Sequence, residues 1–146
     1  MNETSNPFWK FVLSFLKPPS KEQIECQKPK QILIDVGGNE PYLWSPDVLP
    51  IQIFRIGQFI LLGFPGEVTT MAGRRIEKHI YKTLRTYNII GDDGIVLINS
   101  HANCYSGYLT TEEEYIAQRY EAAANLYGKH TLAAYIQEYD KLAIAL

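Results

Sequence analysis

The sequence predicts an α/β fold, a mixed β-sheet flanked by helices, and three observations carry that expectation. Short apolar runs of strand composition are interleaved with segments whose apolar residues recur every three or four positions. Two of those runs are separated by only Gly57-Gln58, the spacing of a tight hairpin, which puts an antiparallel pair into the sheet. The runs beginning at Phe59 and Ile95 are each followed by a loop and then a helical pattern, the order that builds layered α/β structures.

The elements follow in chain order. Asn6 as N-cap with Pro7 at the first helical position opens a helix over Phe8 to Leu16, stopped by Pro18-Pro19. Ser20 followed three residues later by Gln23 reads as a capping box for a second short helix, running to about Cys26. Lys28-Pro29-Lys30 breaks it, and Gln31 to Val36 is expected as a strand ended by Gly37-Gly38. The hairpin comprises Ile51 to Ile56 and Phe59 to Leu62. After Gly63-Phe64-Pro65-Gly66, Thr69 or Thr70 caps a helix with Ala72, Ile76, Ile80 and Leu84 along one face. Asn88 to Gly94 is a connecting turn before the strand Ile95 to Ile98, and a loop from His101 to Leu109 comes next. Thr111-Glu112-Glu113-Glu114 forms another capping box, opening a helix of about four turns that Gly128 stops. Thr131 caps the last helix, striped by Leu132, Tyr135, Ile136, Tyr139 and Leu142 or Ala143.

Composition narrows the function classes. The 146 residues fit one domain or part of one, and 46% hydrophobic content suffices for a sizeable core. Net charge is −2 with no block of like charges, so nucleic-acid binding has no electrostatic footprint. The run Phe8 to Leu16 is too short to span a bilayer, and with Glu3 before it and Lys17-Pro18-Pro19 after it, it lacks the flanks of a secretory signal. Asn2-Glu3-Thr4 fits a glycosylation sequon, a pattern common by chance. Cys26 and Cys104 lack a metal-type spacing, and two thiols neither establish nor exclude a disulfide.

Two loops stand out, Gly63 to Thr69 and His101 to Leu109, because each follows the carboxyl end of a strand, where open α/β sheets bind ligands. They are expected to open on one edge. Glu67, after the Pro65-Gly66 turn, reads either as a helix-start charge or as a metal ligand. The second loop holds Asn103, Tyr105, Ser106 and Tyr108, and tyrosines in such places are usually rim residues with a bonded hydroxyl. His79, His101 and His130 have no compact ligand spacing and read as surface or structural residues. Arg74-Arg75, early in a helix and against its dipole, calls for an ion pair elsewhere.

The run Phe64-Pro65-Gly66-Glu67-Val68-Thr69-Thr70-Met71-Ala72-Gly73-Arg74-Arg75 resembles a signature of neutral ceramidases. Asn103-Cys104-Tyr105-Ser106-Gly107-Tyr108-Leu109-Thr110-Thr111 and Gln118-Arg119-Tyr120-Glu121-Ala122 are similar to the family in the same order and spacing. Upstream, Asn6-Pro7-Phe8-Trp9, Glu25 to Lys30 and Trp44-Ser45-Pro46-Asp47 extend the likeness over nearly the whole chain. The resemblance implies that residues 1–146 are the C-terminal portion of a catalytic domain, without the family's C-terminal immunoglobulin-like domain. It implies zinc-dependent hydrolysis of the amide of ceramide and other N-acylsphingosines to sphingosine and a fatty acid. It implies Glu67 and Tyr108 as zinc ligands and Tyr120 as a catalytic group beside the substrate amide. Zinc suits that reaction, since it polarises a carbonyl and lowers the pKa of bound water toward about 7.

The family's two histidine ligands and active-site serine precede the region matched, and none of His79, His101 or His130 occupies a matching position. The chain alone is therefore expected to be inactive, since catalytic zinc takes three protein ligands. Extracellular or membrane-surface action is what the resemblance implies, the substrate being embedded in membranes. Two other readings stand beside it: a truncated, non-catalytic paralogue acting as an interaction or regulatory protein, and a binding module in which Glu67 and Tyr108 are structural.

Overall fold

Gly57 sits at φ 61°, a left-handed conformation that crowds the Cβ of other residues against the backbone. It reverses the chain between strands β1 (Gln52–Ile56) and β2 (Phe59–Gly63), which pair antiparallel with Ile56 opposite Phe59. The structure is a computed structural model describing residues 7, 8, 11 and 16–146, and it divides into two compact units meeting between Asp47 and Val48. In the second unit β4 (Ile95–Asn99) lies parallel to β2, giving the order β1-β2-β4 and the mixed sheet that the sequence predicts.

Side chains alternate across this sheet with period two. Ile53, Ile60, Leu62, Val96 and Ile98 face inward onto α2 (Thr70–Thr86) and α5 (Thr131–Ile144). The Thr69 hydroxyl caps α2 by accepting from the Ala72 N–H, and Ala72, Ile76, Ile80 and Leu84 are completely buried along one stripe. Each such Ile or Leu contributes roughly 1.5–3 kcal/mol through removal from water. Tyr139 of α5 adds a polar tie, its buried hydroxyl donating to the Gly63 carbonyl at 2.6 Å. The outward face is different: Phe54, Leu61 and Leu97 form one row across the strands and Ile56, Phe59 and Ile95 another. Phe54, Ile56, Ile95 and Leu97 are exposed there.

In the first unit α1 (Lys21–Gln27) has the capping box expected at Ser20 and Gln23, with both reciprocal bonds formed. Asp35 is buried there but satisfied, accepting from the Gln23 amide at 2.9 Å with the Lys17 ammonium 3.6 Å away. The strand expected over Gln31 to Val36 does not form. Its groups are bonded to flanking segments instead, the Asp35 N–H donating to the Lys17 carbonyl and the Trp44 N–H to that of Val36, and Leu33 is 82% exposed. An apolar run becomes a strand only where another strand pairs with it. The helix expected over Phe8 to Leu16, with its cap at Asn6, and the sequon at Asn2 lie largely or wholly outside the described residues.

The four-turn helix expected after Thr111 is broken into α3 (Glu112–Ile116) and α4 (Tyr120–Ala123). Gln118 adopts φ 49° and directs both its backbone N–H and its side-chain amide to the Tyr115 carbonyl, the acceptor a continuing helix would offer to Arg119. The capping box itself is present, with Glu114 accepting from the Thr111 N–H. His130, not Thr131, is the N-cap of α5, and Thr131 donates to the Gly128 carbonyl at 2.6 Å.

Arg75 finds the ion pair its position calls for, in a two-bond fork to Glu113 at 2.9 and 3.0 Å. Those bonds, with backbone and Thr111 contributions, hold the Glu113 carboxyl down to about 2 from an ordinary 4.5. A depressed folded-state value means stabilisation that is full above pH 4.5 and lost as pH falls toward 2. The stability difference between wild type and Glu113→Gln, followed by urea denaturation, is therefore expected to shrink as pH drops through that window. A pH-independent difference would mean that the charge on Glu113 contributes nothing.

Candidate functional site

Because β2 and β4 run parallel, the loops leaving their carboxyl ends emerge side by side, as the sequence predicts. They are stitched together by main-chain bonds. Ala102 N–H donates to the Phe64 carbonyl, His101 N–H to Gly66, Glu67 N–H to Gly107 and Thr69 N–H to Leu109, each at 2.9–3.0 Å. Gly66 is required by this approach, since a Cβ there would lie 2.6 Å from the Gly107 carbonyl oxygen. The result is a second, two-stranded parallel sheet, β3 (Glu67–Val68) against β5 (Tyr108–Leu109). Strand alternation then sorts the four side chains. Val68 and Leu109 turn to the core, and the register partners Glu67 and Tyr108 turn together to the other face.

Glu67 is the centre of the cluster. Tyr105 donates its hydroxyl to Glu67 Oε1 at 2.7 Å, and His101 Nε2 lies 3.8 Å from the same oxygen. The two phenols hold the Glu67 carboxyl below its usual range, Tyr105 more than Tyr108, against a smaller opposing effect of desolvation. Hydrogen bonding to Glu67, with some desolvation, pushes the Tyr108 phenol up to about 12 and raises Tyr105 as well. The Tyr120 ring meets that of Tyr108 edge-on at 5.8 Å, and at 75% exposure it is not a core residue. Glu114 braces the ladder by accepting from the Thr69 hydroxyl at 2.7 Å while also capping α3. Beside Tyr108 runs a groove of about 610 Å³ lined by Val68, Thr69, Thr70, Glu113 and Arg119 among others, its walls mixed polar and apolar in near-equal parts.

All three residues singled out in the sequence, Glu67, Tyr108 and Tyr120, are thus neighbours. Tyr105 and His101 join them unannounced: the loop containing both was marked, but nothing in the sequence indicated that their side chains converge on Glu67. His79 instead pairs with Asp140 at 2.7 Å. Among the described residues no group of three His, Cys, Asp or Glu side chains could hold a metal ion, and both cysteines are free. An anionic carboxylate beside a phenol is nevertheless a donor pair that fits zinc, which takes oxygen ligands, and a cation there would reverse the effect that keeps the phenol protonated.

Residues 1–137 match the family model described as neutral/alkaline non-lysosomal ceramidase, N-terminal. The chain belongs to the neutral ceramidase family. It is 53% identical over 143 residues to a neutral ceramidase of Oryza sativa subsp. japonica, covering 97% of this chain and 18% of that protein. The neutral ceramidase of Pseudomonas aeruginosa is 45% identical over 147 residues, covering all of this chain and 21% of the relative. The crystal structure of neutral ceramidase from that bacterium superposes on 99% of this chain with a TM-score of 0.83, using 23% of its own length. A second structure, a ceramidase complexed with C2, gives 0.82 over 99% of this chain. This ceramidase-family chain thus spans about a fifth of the length of the relatives it matches.

Proposed function

We propose that the chain is the late part of a ceramidase catalytic domain and supplies Glu67 and Tyr108 to a zinc site that hydrolyses the amide of ceramide and related N-acylsphingosines. The observation that carries this reading is the β3–β5 register, which sets the carboxylate and the phenol side by side on one face with the Tyr120 ring against the phenol. Zinc bound there would polarise the amide carbonyl and acidify water. Glu67 provides negative charge for the cation, and Tyr120, exposed and adjacent, can donate its hydroxyl to the oxygen on which charge develops. The open apolar sheet face supports the partial-domain reading, because soluble proteins seldom leave such rows uncovered. Action at an extracellular or membrane surface fits a lipid substrate; no described helix is long and apolar enough to cross a membrane.

The chain alone is expected to turn over no ceramide. Mixed with a polypeptide carrying the residues that precede the matched region in the Pseudomonas aeruginosa relative, it is expected to retain zinc and release sphingosine, and Glu67→Gln should abolish both. Turnover by the 146 residues alone, or restored activity indifferent to Glu67→Gln, would sink the assignment.

A further inference from the structure

We propose that Tyr105 is a positioning residue that fixes the Glu67 carboxylate in the orientation needed to bind the metal. The inference rests on the reading of Glu67 and Tyr108 as ligands and adds a residue acting through one of them.

The Tyr105 side chain is 54% exposed, so burial does not dictate its direction, yet its hydroxyl makes a well-formed 2.7 Å bond to Glu67 Oε1. The loop that carries it is held stiffly. His101 and Asn103 adopt φ 60° and 63°, the Cys104 N–H donates to the Ala102 carbonyl, Ser106 Oγ donates to the Pro65 carbonyl, and Asn103 bonds to Gln52. The His101 ring stacks on the Tyr105 ring at 6.0 Å with 20° between planes, restricting its rotation. A glutamate has three side-chain torsions, and ordering them costs rotamer freedom. A rigid donor on one carboxylate oxygen removes that freedom beforehand and leaves the other oxygen's lone pairs for a cation. Ligating carboxylates are ordinarily hydrogen-bonded in this way, and loss of such a partner weakens metal affinity roughly ten- to hundredfold.

The test uses cobalt(II) as a probe of the chain mixed with the polypeptide that precedes the matched region in the Pseudomonas aeruginosa relative, its binding followed by paramagnetic effects on the NMR signals of Glu67 and Tyr108. Tyr105→Phe keeps the ring and its stack on His101 and removes only the hydroxyl. It is expected to raise the cobalt concentration at half-effect at least tenfold and to alter the paramagnetic shifts of Glu67, while its melting temperature and distant signals stay at wild-type values. Cobalt binding unchanged in Tyr105→Phe but lost in Glu67→Gln would overturn the role of Tyr105 and leave the ligand reading standing. Wild-type Glu67 and Tyr108 signals indifferent to millimolar cobalt in that mixture would overturn both.

Discussion

Asn125→Leu is expected to destabilise the second unit by about 3–5 kcal/mol, because several buried partners lose their bonds at once. Asn125 is completely buried, and its Oδ1 accepts from the Tyr127 and Gly128 N–H groups, both at 3.2 Å, while its amide donates to Thr110 Oγ1 at 3.2 Å. Leucine keeps asparagine's branched shape but is bulkier, so overpacking adds to the main effect, polar groups stripped of their partner at about 1–3 kcal/mol for each one left buried. Asn125 also forms a bridge with Gly107, and the neighbouring Ala124 carbonyl accepts from the Tyr108 N–H at 3.1 Å. The loss should therefore reach β5 and scatter the Glu67 and Tyr108 side chains. Urea denaturation of the two proteins, followed by circular dichroism, decides the matter; a loss under 1 kcal/mol would show that the network is replaceable.

The second large effect is expected at Gly66. In Gly66→Ala the new methyl would meet the Gly107 carbonyl oxygen at 2.6 Å and the Phe64 ring and Ser106 Oγ at 3.0 Å. The nearest obstacle is main chain, which cannot swing aside as a side-chain tip would. The two loops must part, at a cost of about 1–3 kcal/mol by the usual measure of overpacking, and the Glu67 N–H bond to Gly107 goes first. A melting temperature several degrees below wild type, together with shifted Tyr105 and Tyr108 NMR signals, is the expected result. A wild-type melt with an intact β3–β5 ladder would mean that the close approach is not needed.

These two positions mark where the sequence was informative and where it was silent. The hairpin, α2 and its buried stripe, and the capping boxes at Ser20 and Thr111 were legible because each depends on residues within a few positions of one another. The strand expected near Ile32 failed because pairing is a property of two segments, and its own composition could not supply the second. The break at Gln118 was hidden for a related reason: glutamine is an ordinary helix former, and only its bonds to the Tyr115 carbonyl divert it. At the site, parallel strands leading into loops were enough to anticipate a shared edge, and the family likeness pointed to Glu67, Tyr108 and Tyr120. The convergence of Tyr105 and His101 on Glu67 was not legible, because it depends on left-handed residues at 101 and 103 that carry no glycine to announce them.

The uncovered rows on the outer sheet face bear on the fate of the molecule in a cell. Phe54, Ile56, Ile95 and Leu97 present water with a flat apolar surface on a folded scaffold. Surfaces of this kind are what chaperones hold and what protein quality control reads as unfinished folding. A chain released with that face bare would be retained or degraded even though it has a buried core of its own, so its abundance should follow the supply of whatever covers that face.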